Sequence, residues 1–396
     1  MKIFVLLLKN ALEFLIHYSL EGKEYQMHDK DIKFLEDSFK KYYFEHFDLI
    51  HTPKNPEMRE FGFQKFNSGM NRHISLRSDK ELHLLLMKNI PSDVYCSNAR
   101  YSFPNLPMAE KDWQNADLIF DIDAKDLHLP CRHEHTIKKC NSCGQIGNSD
   151  SCVKCNSIKF DTVSIFCNNC IIGAKKELNK LISILTKDLG IPRQNITVYF
   201  SGNEGFHIHV TSQYESLDSR HRSELVDYLT FRGAIPETFG ARTNFSRSEF
   251  PDLEEKGWLG RVSREIFGAK SNKSKISKQL ISDGYFSFKK KIESFQTELG
   301  VKIDPNVTVD VHRIFRLGGT INSKSGLTKM IITDIDKFNP SSEACFIDDT
   351  SISVTANCPV SFRLKNKNFG PYHNEQVTLP KYAAVYLICK GCASVS

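Results

Sequence analysis

Seven of the twelve cysteines lie between Cys131 and Cys170, and six of those seven fall in CxxC pairs. That spacing constrains the fold more than any other feature of the chain. A disulfide framework spreads its cysteines to close loops, whereas a CxxC turn presents two thiolates on one side of a bend, as a tetrahedral zinc ion requires. Cys140-Asn141-Ser142-Cys143 and Cys152-Val153-Lys154-Cys155 read as the two knuckles of a zinc ribbon, with Gly144 and Gly147 letting the loop between them fold back. Cys131, His133 and His135 stand upstream, and Cys167-Asn168-Asn169-Cys170 downstream. They could close a second Zn²⁺ site as Cys131, His135, Cys167 and Cys170, with the ribbon inserted between its halves. His135 gives a Cys-x3-His spacing that reaches one metal more comfortably than His133 does. The alternative is a pair of exposed histidines and two free thiols. Four protein ligands leave no open position, so both sites read as structural.

The rest of the chain has the composition of a folded protein with a real core: 396 residues, 40% hydrophobic and 25% charged. A net charge of +6 is compatible with a polyanionic partner without pointing to one. The N-terminal apolar run Ile3 to Leu8 is cut short by Lys9 and Asn10, far below the ~20 apolar residues of a membrane span. Leu7, Leu8, Leu12, Leu15 and Ile16 keep a helical spacing, so an amphipathic first helix and a cytoplasmic protein with no membrane partner are expected. After Cys170, the stripe Ile171, Ala174, Leu178, Leu181, Ile182, Leu185 predicts a core helix stopped by Gly190 and Pro192.

Three polar blocks carry the chemistry. The first, Ala116 to Asp123, alternates as a strand with Leu118, Phe120 and Ile122 on one face and Asp121 and Asp123 on the other. Two carboxylates side by side repel, and a divalent cation removes that cost; a solvated strand end is the plainer alternative. The second, Ile196 to Val210, reads as a hairpin around Gly202 and Gly205 that puts His207 and His209 on one face. Ser201 and the glycine amides could hold phosphate oxygens beside His207; two surface histidines or a metal pair is the other reading. The third runs from Asp304 and Asp310 through Arg313, Arg316, Gly318 and Gly319 to Ser323-Lys324-Ser325-Gly326. A carboxylate, basic residues and a flexible lysine loop are what a metal-bound triphosphate needs.

In order and separation the three blocks resemble the small subunit of archaeal–eukaryotic DNA primases: a DxD strand, an SGxxGxH hairpin, then an aspartate followed by an RLxGS-like basic turn. The likeness extends to Arg59-Glu60-Phe61, Arg72-His73, Asp93-Val94-Tyr95, Lys111-Asp112-Trp113 and Leu379 to Tyr386, and so covers the chain from about Phe34 to its end. It implies an α/β fold of mixed α+β type, with an RRM-like sheet and no doubly wound dinucleotide domain. By that resemblance Asp121, Asp123 and Asp304 are the catalytic carboxylates that hold Mg²⁺ or Mn²⁺. Ser201, Gly202, His207, Arg316 and Lys324 fall at the triphosphate, and Arg72 and Asp93 at the incoming nucleotide. The implied activity is template-directed primer synthesis on single-stranded DNA from nucleoside triphosphates by two-metal phosphoryl transfer, in a heterodimer with a primase large subunit.

The pattern also departs from the family. Asn203 and Glu204 replace a basic turn residue, Asn322 a histidine and Gly318 a proline, and the double CxxC exceeds the minimal family zinc site. The expected division is a helical extension over 1–33, a catalytic core over 34–130, 171–213 and 301–396, a zinc module over 131–170 and a largely helical insertion over 214–300. The competing readings are a primase-polymerase of the same superfamily acting in repair or on a mobile element, and a non-catalytic zinc-ribbon nucleic-acid-binding protein. The carboxylates argue against the last, because a pure binder gains nothing from placing them near phosphate.

Overall fold

The computed structural model describes residues 27–147, 149–211, 213–268 and 272–396. The helix expected over residues 7–16 lies outside them.

Eight strands make the centre of the molecule: β1 (Phe61–Gln64), β2 (Met70–Ile74), β3 (Asp93–Ser97), β4 (Leu118–Asp123), β5 (Ile196–Phe200), β6 (Gly205–Val210), β7 (Ile314–Arg316) and β8 (Met330–Ile332). They form two four-stranded sheets, ordered β7-β3-β1-β2 and β8-β5-β6-β4. Every pairing is antiparallel. In the second sheet the chain runs strand, helix, strand, strand, and the first strand pairs with the third, as an RRM-like sheet requires; β8 extends the free edge of β5.

The alternation read from the sequence decides which face is covered. Leu118, Phe120 and Ile122 of β4 and Phe206, Ile208 and Val210 of β6 are wholly buried. They share one cluster with Ala174, Leu178, Leu181 and Leu185 of the helix Asn168–Lys187. Each such side chain contributes about 1.5–3 kcal/mol on burial, so the period-two pattern turns the other face, with Asp121, Asp123, His207 and His209, away from that helix. The helix starts before its apolar stripe does. Cys167 is its N-cap and Cys170 lies in its first turn, so the last CxxC straddles the helix start.

Residues 136–140, 146–147 and 160–164 form a small three-stranded sheet that carries the cysteine knuckles. Segment 214–300 contains the helices Ser219–Leu229, Gly257–Phe267, Lys273–Asp283 and Tyr285–Glu298 and has its own core around Phe231, Phe239, Val262, Phe288 and Phe295. Among its ties to the centre is Arg222, a wholly buried side chain whose guanidinium donates to the Ala116 carbonyl at 2.7 Å and the Asp117 carbonyl at 3.0 Å. The helix Lys381–Cys389 is buried on every side from Tyr382 to Ile388, and the Tyr386 hydroxyl accepts the Phe166 amide at 2.7 Å. Among the described residues no helix is long and apolar enough to cross a membrane.

Candidate active site

The register of β4 against β6 sets Asp121 opposite His207 and Asp123 opposite Gly205. Gly205 makes that approach possible: a Cβ there would stand 2.3 Å from the Ile122 carbonyl oxygen and 2.5 Å from Asp123 Oδ1. Asp304 joins from a distant part of the chain. Its amide donates to the Asp121 carbonyl at 3.0 Å, and its carboxylate caps the short helix Pro305–Val309 by accepting the Asn306 amide at 2.9 Å. The Thr308 hydroxyl pins that helix to the Ile119 carbonyl at 2.9 Å. The charge of Asp304 acts on Asp121, whereas that of Asp310, at the far end of the helix, acts on Arg72.

Burial first, then the charges of Asp123 and Asp304, pushes the Asp121 carboxyl up to about 7. Its Oδ1 is buried and has no hydrogen-bond partner among the described residues. Lys125 offsets part of the negative charge with an ion pair to Asp123 at 2.9 Å. An orphaned carboxylate oxygen beside two further carboxylates is an environment that a hard divalent cation with oxygen ligands relieves, so these residues fit Mg²⁺ or Mn²⁺.

His207 stands 3.5 Å from Asp121 through Nε2. On its other side Lys329 Nζ lies 3.0 Å from Nδ1 and donates to the Arg316 carbonyl at 2.8 Å. With Lys329 as an ammonium, which has no acceptor to offer, Nδ1 accepts and the ring proton sits on Nε2, facing Asp121. Burial, then the positive charges of Lys329, Arg316 and Arg313 among others, holds the imidazole well below its usual range, which makes it a neutral donor. Lys329 itself is held down to about 7, by burial first and by Arg316. No motif in the sequence marks Lys329, since a lysine in a short strand approach reads as solvated. Farther along the same face, a cavity of about 410 Å³ is lined by Ile119, Tyr199, His209 and Phe315.

The hairpin turn differs from its expected use. Ser201 Oγ accepts the Gly205 amide at 3.2 Å and the Asn203 amide at 3.4 Å, so these amides close the turn, and the serine proton is what remains to donate outward. The later loop packs on the turn: Asn322 donates to the Ser201 carbonyl at 3.2 Å and Ser325 to the Gly202 carbonyl. Gly202 takes φ +85°, and a Cβ on it would meet Asn322 Cβ at 2.9 Å. Asn322, in the place of a histidine, thus stitches two loops together. Lys324 is exposed at the tip of the second loop.

Arg316 and Asp93 come together as a buried ion pair. Asp93 also accepts the Ser323 hydroxyl at 2.7 Å and the Ser323 amide at 3.2 Å, which fixes the loop to β3. Arg72 makes a two-pronged contact with the wholly buried Glu60 at 2.8 and 3.1 Å, and Lys111 holds the same carboxylate. Here Asp93 and Arg72 are bound to neighbouring side chains.

Both cysteine groups close. In each of the sets Cys140, Cys143, Cys152, Cys155 and Cys131, His135, Cys167, Cys170, the potential ligand atoms lie within 4.8 Å of one another. Sγ separations of 3.5 Å for Cys140–Cys155 and Cys143–Cys152, and of 3.8 Å for Cys131–Cys170, suit the edge of about 3.8 Å of a tetrahedron with ~2.3 Å zinc–sulfur bonds. Both sets could bind zinc. His135 is the histidine that turns inward, with Nε2 at 3.2 Å from Cys170 Sγ and Nδ1 at 3.3 Å from the Ser164 hydroxyl. His133 is exposed.

Carboxylates and a neutral histidine on one face of an antiparallel sheet, with basic loops beside them, belong to a nucleotidyltransferase type of architecture. Comparison with known proteins gives the family. A family model described as the DNA primase small subunit matches residues 161–334. The chain is 59% identical over 373 residues to the DNA primase small subunit PriS of Nitrosopumilus maritimus, covering 93% of this chain and 100% of that one. It is 50% identical over 372 residues to the subunit of Cenarchaeum symbiosum, with the same coverage. Identity to the subunit of Archaeoglobus fulgidus is 32% over 375 residues, covering 91% of this chain and 98% of that one. The chain belongs to the DNA primase small subunit family.

Proposed function

We propose that this chain is the catalytic subunit of a DNA primase, making short primers on single-stranded DNA from nucleoside triphosphates in the cytoplasm. The observation that carries the proposal is the buried Asp121 Oδ1, without a hydrogen bond among the described residues, next to Asp123, Asp304 and Nε2 of His207.

In this reading Asp121, Asp123 and Asp304 hold Mg²⁺ or Mn²⁺, which when bound neutralises the triphosphate and acidifies the attacking hydroxyl. His207 donates from Nε2 to a phosphate oxygen, and Lys329 keeps the ring in that tautomer. Ser201 donates its hydroxyl proton, and Gly202 gives the turn the shape that brings Ser201 to the phosphates. Arg316, exposed Lys324 and Arg313 supply positive charge, and Arg316 is oriented by Asp93. Arg72 and Asp93 border the nucleotide. Residues 131–170 act as a zinc-stabilised module, 214–300 as an inserted helical unit, 1–33 as an extension, and 34–130, 171–213 and 301–396 as the core. A large subunit completes the enzyme as a heterodimer.

The test is primer synthesis on single-stranded DNA without primer, using labelled nucleotides and Mg²⁺ or Mn²⁺, with and without a candidate large subunit. Short products from the native chain that vanish in Asp121→Ala and Asp123→Ala are expected. Extension of an added primer with no synthesis de novo would turn the reading toward a repair polymerase. Metal-dependent products undiminished in both variants would refute the site.

A further inference from the structure

The turn between β5 and β6 is held from below by two cations. Lys390, almost wholly buried at the end of the helix Lys381–Cys389, donates to Asn203 Oδ1 at 2.9 Å. Arg132 forms an ion pair with Glu204, whose side chain is only 12% exposed. The Glu204 carbonyl accepts the Ala124 amide at 3.3 Å, and the next residue, Gly205, is the one registered against Asp123. Glu204 is therefore built into the ladder that sets the carboxylate pair.

Arg132 lies between Cys131 and His135, two members of the second cysteine–histidine set. A third, Cys170, acts electrostatically on its guanidinium. A continuous path thus runs from that metal set through one guanidinium to one carboxylate in the turn. It has an electrostatic side as well. In that reading Glu204 puts a negative charge in the segment that faces a polyanionic substrate, and Arg132 forms an ion pair with it.

We propose that Arg132 is a positioning residue that couples the Cys131–His135–Cys167–Cys170 metal site to nucleotide binding, by fixing the Ser201–Gly205 turn and screening Glu204. This rests on the reading of that turn as part of the nucleotide site. With the metal in place, the short helical turn Pro130–Glu134 is anchored at both ends and Arg132 is held toward Glu204. With the metal lost, that anchor loosens, the ion pair weakens, and the turn presents a less screened carboxylate to the triphosphate.

The experiment uses the full chain and reads nucleotide affinity by fluorescence titration with a labelled nucleoside triphosphate and Mg²⁺, alongside KM, kcat and zinc content. Arg132→Ala should weaken nucleotide binding and raise KM by about fivefold or more, the usual range of site-to-site coupling, with kcat little changed. Adding Glu204→Gln to Arg132→Ala should recover most of the affinity, which a merely structural defect would not allow. Cys167→Ala should remove one zinc equivalent and weaken nucleotide binding, and its effect should not add to that of Arg132→Ala. Additive losses, or unchanged affinity in Arg132→Ala with two zinc ions retained, would overturn the coupling. If Arg132→Ala loses zinc, Arg132→Gln, alone and combined with Glu204→Gln, replaces it under the same criteria. An unchanged Arg132→Ala beside an inactive Asp121→Ala refutes the tie alone, whereas a native chain that binds no nucleotide refutes the site reading itself.

Discussion

Asp121→Asn is expected to make the metal-free protein more stable while destroying its activity. Asp121 is raised from 3.8 to about 7. A carboxyl whose folded-state pKa lies above its unfolded value costs stability once it must ionise. The cost is absent below about pH 4, grows as pH rises toward 7, and is constant above that. Three pH units correspond to about 4 kcal/mol at pH 8, and roughly half of that at pH 5.5. Asparagine keeps the shape and removes the charge. With an unfolding entropy of about 2 cal/mol/K per residue, that energy is a rise in Tm of about 5 °C for a chain of this length. Scanning calorimetry of both proteins after catalytic metal is removed and zinc retained, at pH 8 and pH 5.5, is the assay. The difference in Tm should be larger at pH 8, and saturating Mg²⁺ should shrink it by stabilising only the native protein. A Tm that falls, or a gain equal at both pH values, would refute the idea that Asp121 is held charged at a cost a cation relieves.

Other expectations follow from the same geometry. Mn²⁺ affinity measured by calorimetry should fall as pH drops below about 7, approaching tenfold per unit, because the proton on Asp121 competes with the metal. Gly205→Ala should cost about 1–3 kcal/mol in denaturant unfolding and reduce priming, since its Cβ would push β6 off Asp123. Lys329→Met should raise nucleotide KM, because His207 loses the donor that fixes its tautomer; an unchanged KM would remove Lys329 from the site. Metal analysis should find two zinc ions per chain, falling to one in Cys152→Ser.

Much of the site was legible because strand periodicity is a local property. The alternation in 118–123 and 205–210 already put Asp121, Asp123, His207 and His209 opposite the apolar positions, and pairing two such strands leaves the polar residues on one face. The CxxC knuckles were legible for a similar reason, because each bend carries its own geometry. A preference for His135 over His133 could be stated, but burial of its ring against Cys170 needed the folded module. Other features required residues far apart in the chain to meet. The Asp304 amide finds the Asp121 carbonyl across more than 180 positions, and nothing near Lys329 foretells His207. The Gly205 amide, one of the glycine amides offered to phosphate, is taken by Ser201 inside the turn. Glu204, which reads as a loss of positive charge, proves to be paired with Arg132 of the cysteine module. The sequence by itself therefore determined which residue types share a face or a bend, since that depends on period and spacing. Tertiary structure alone decided which charges neutralise one another and which carboxylate oxygen is left buried without a hydrogen bond among the described residues, because those depend on distances between segments that no local pattern encodes.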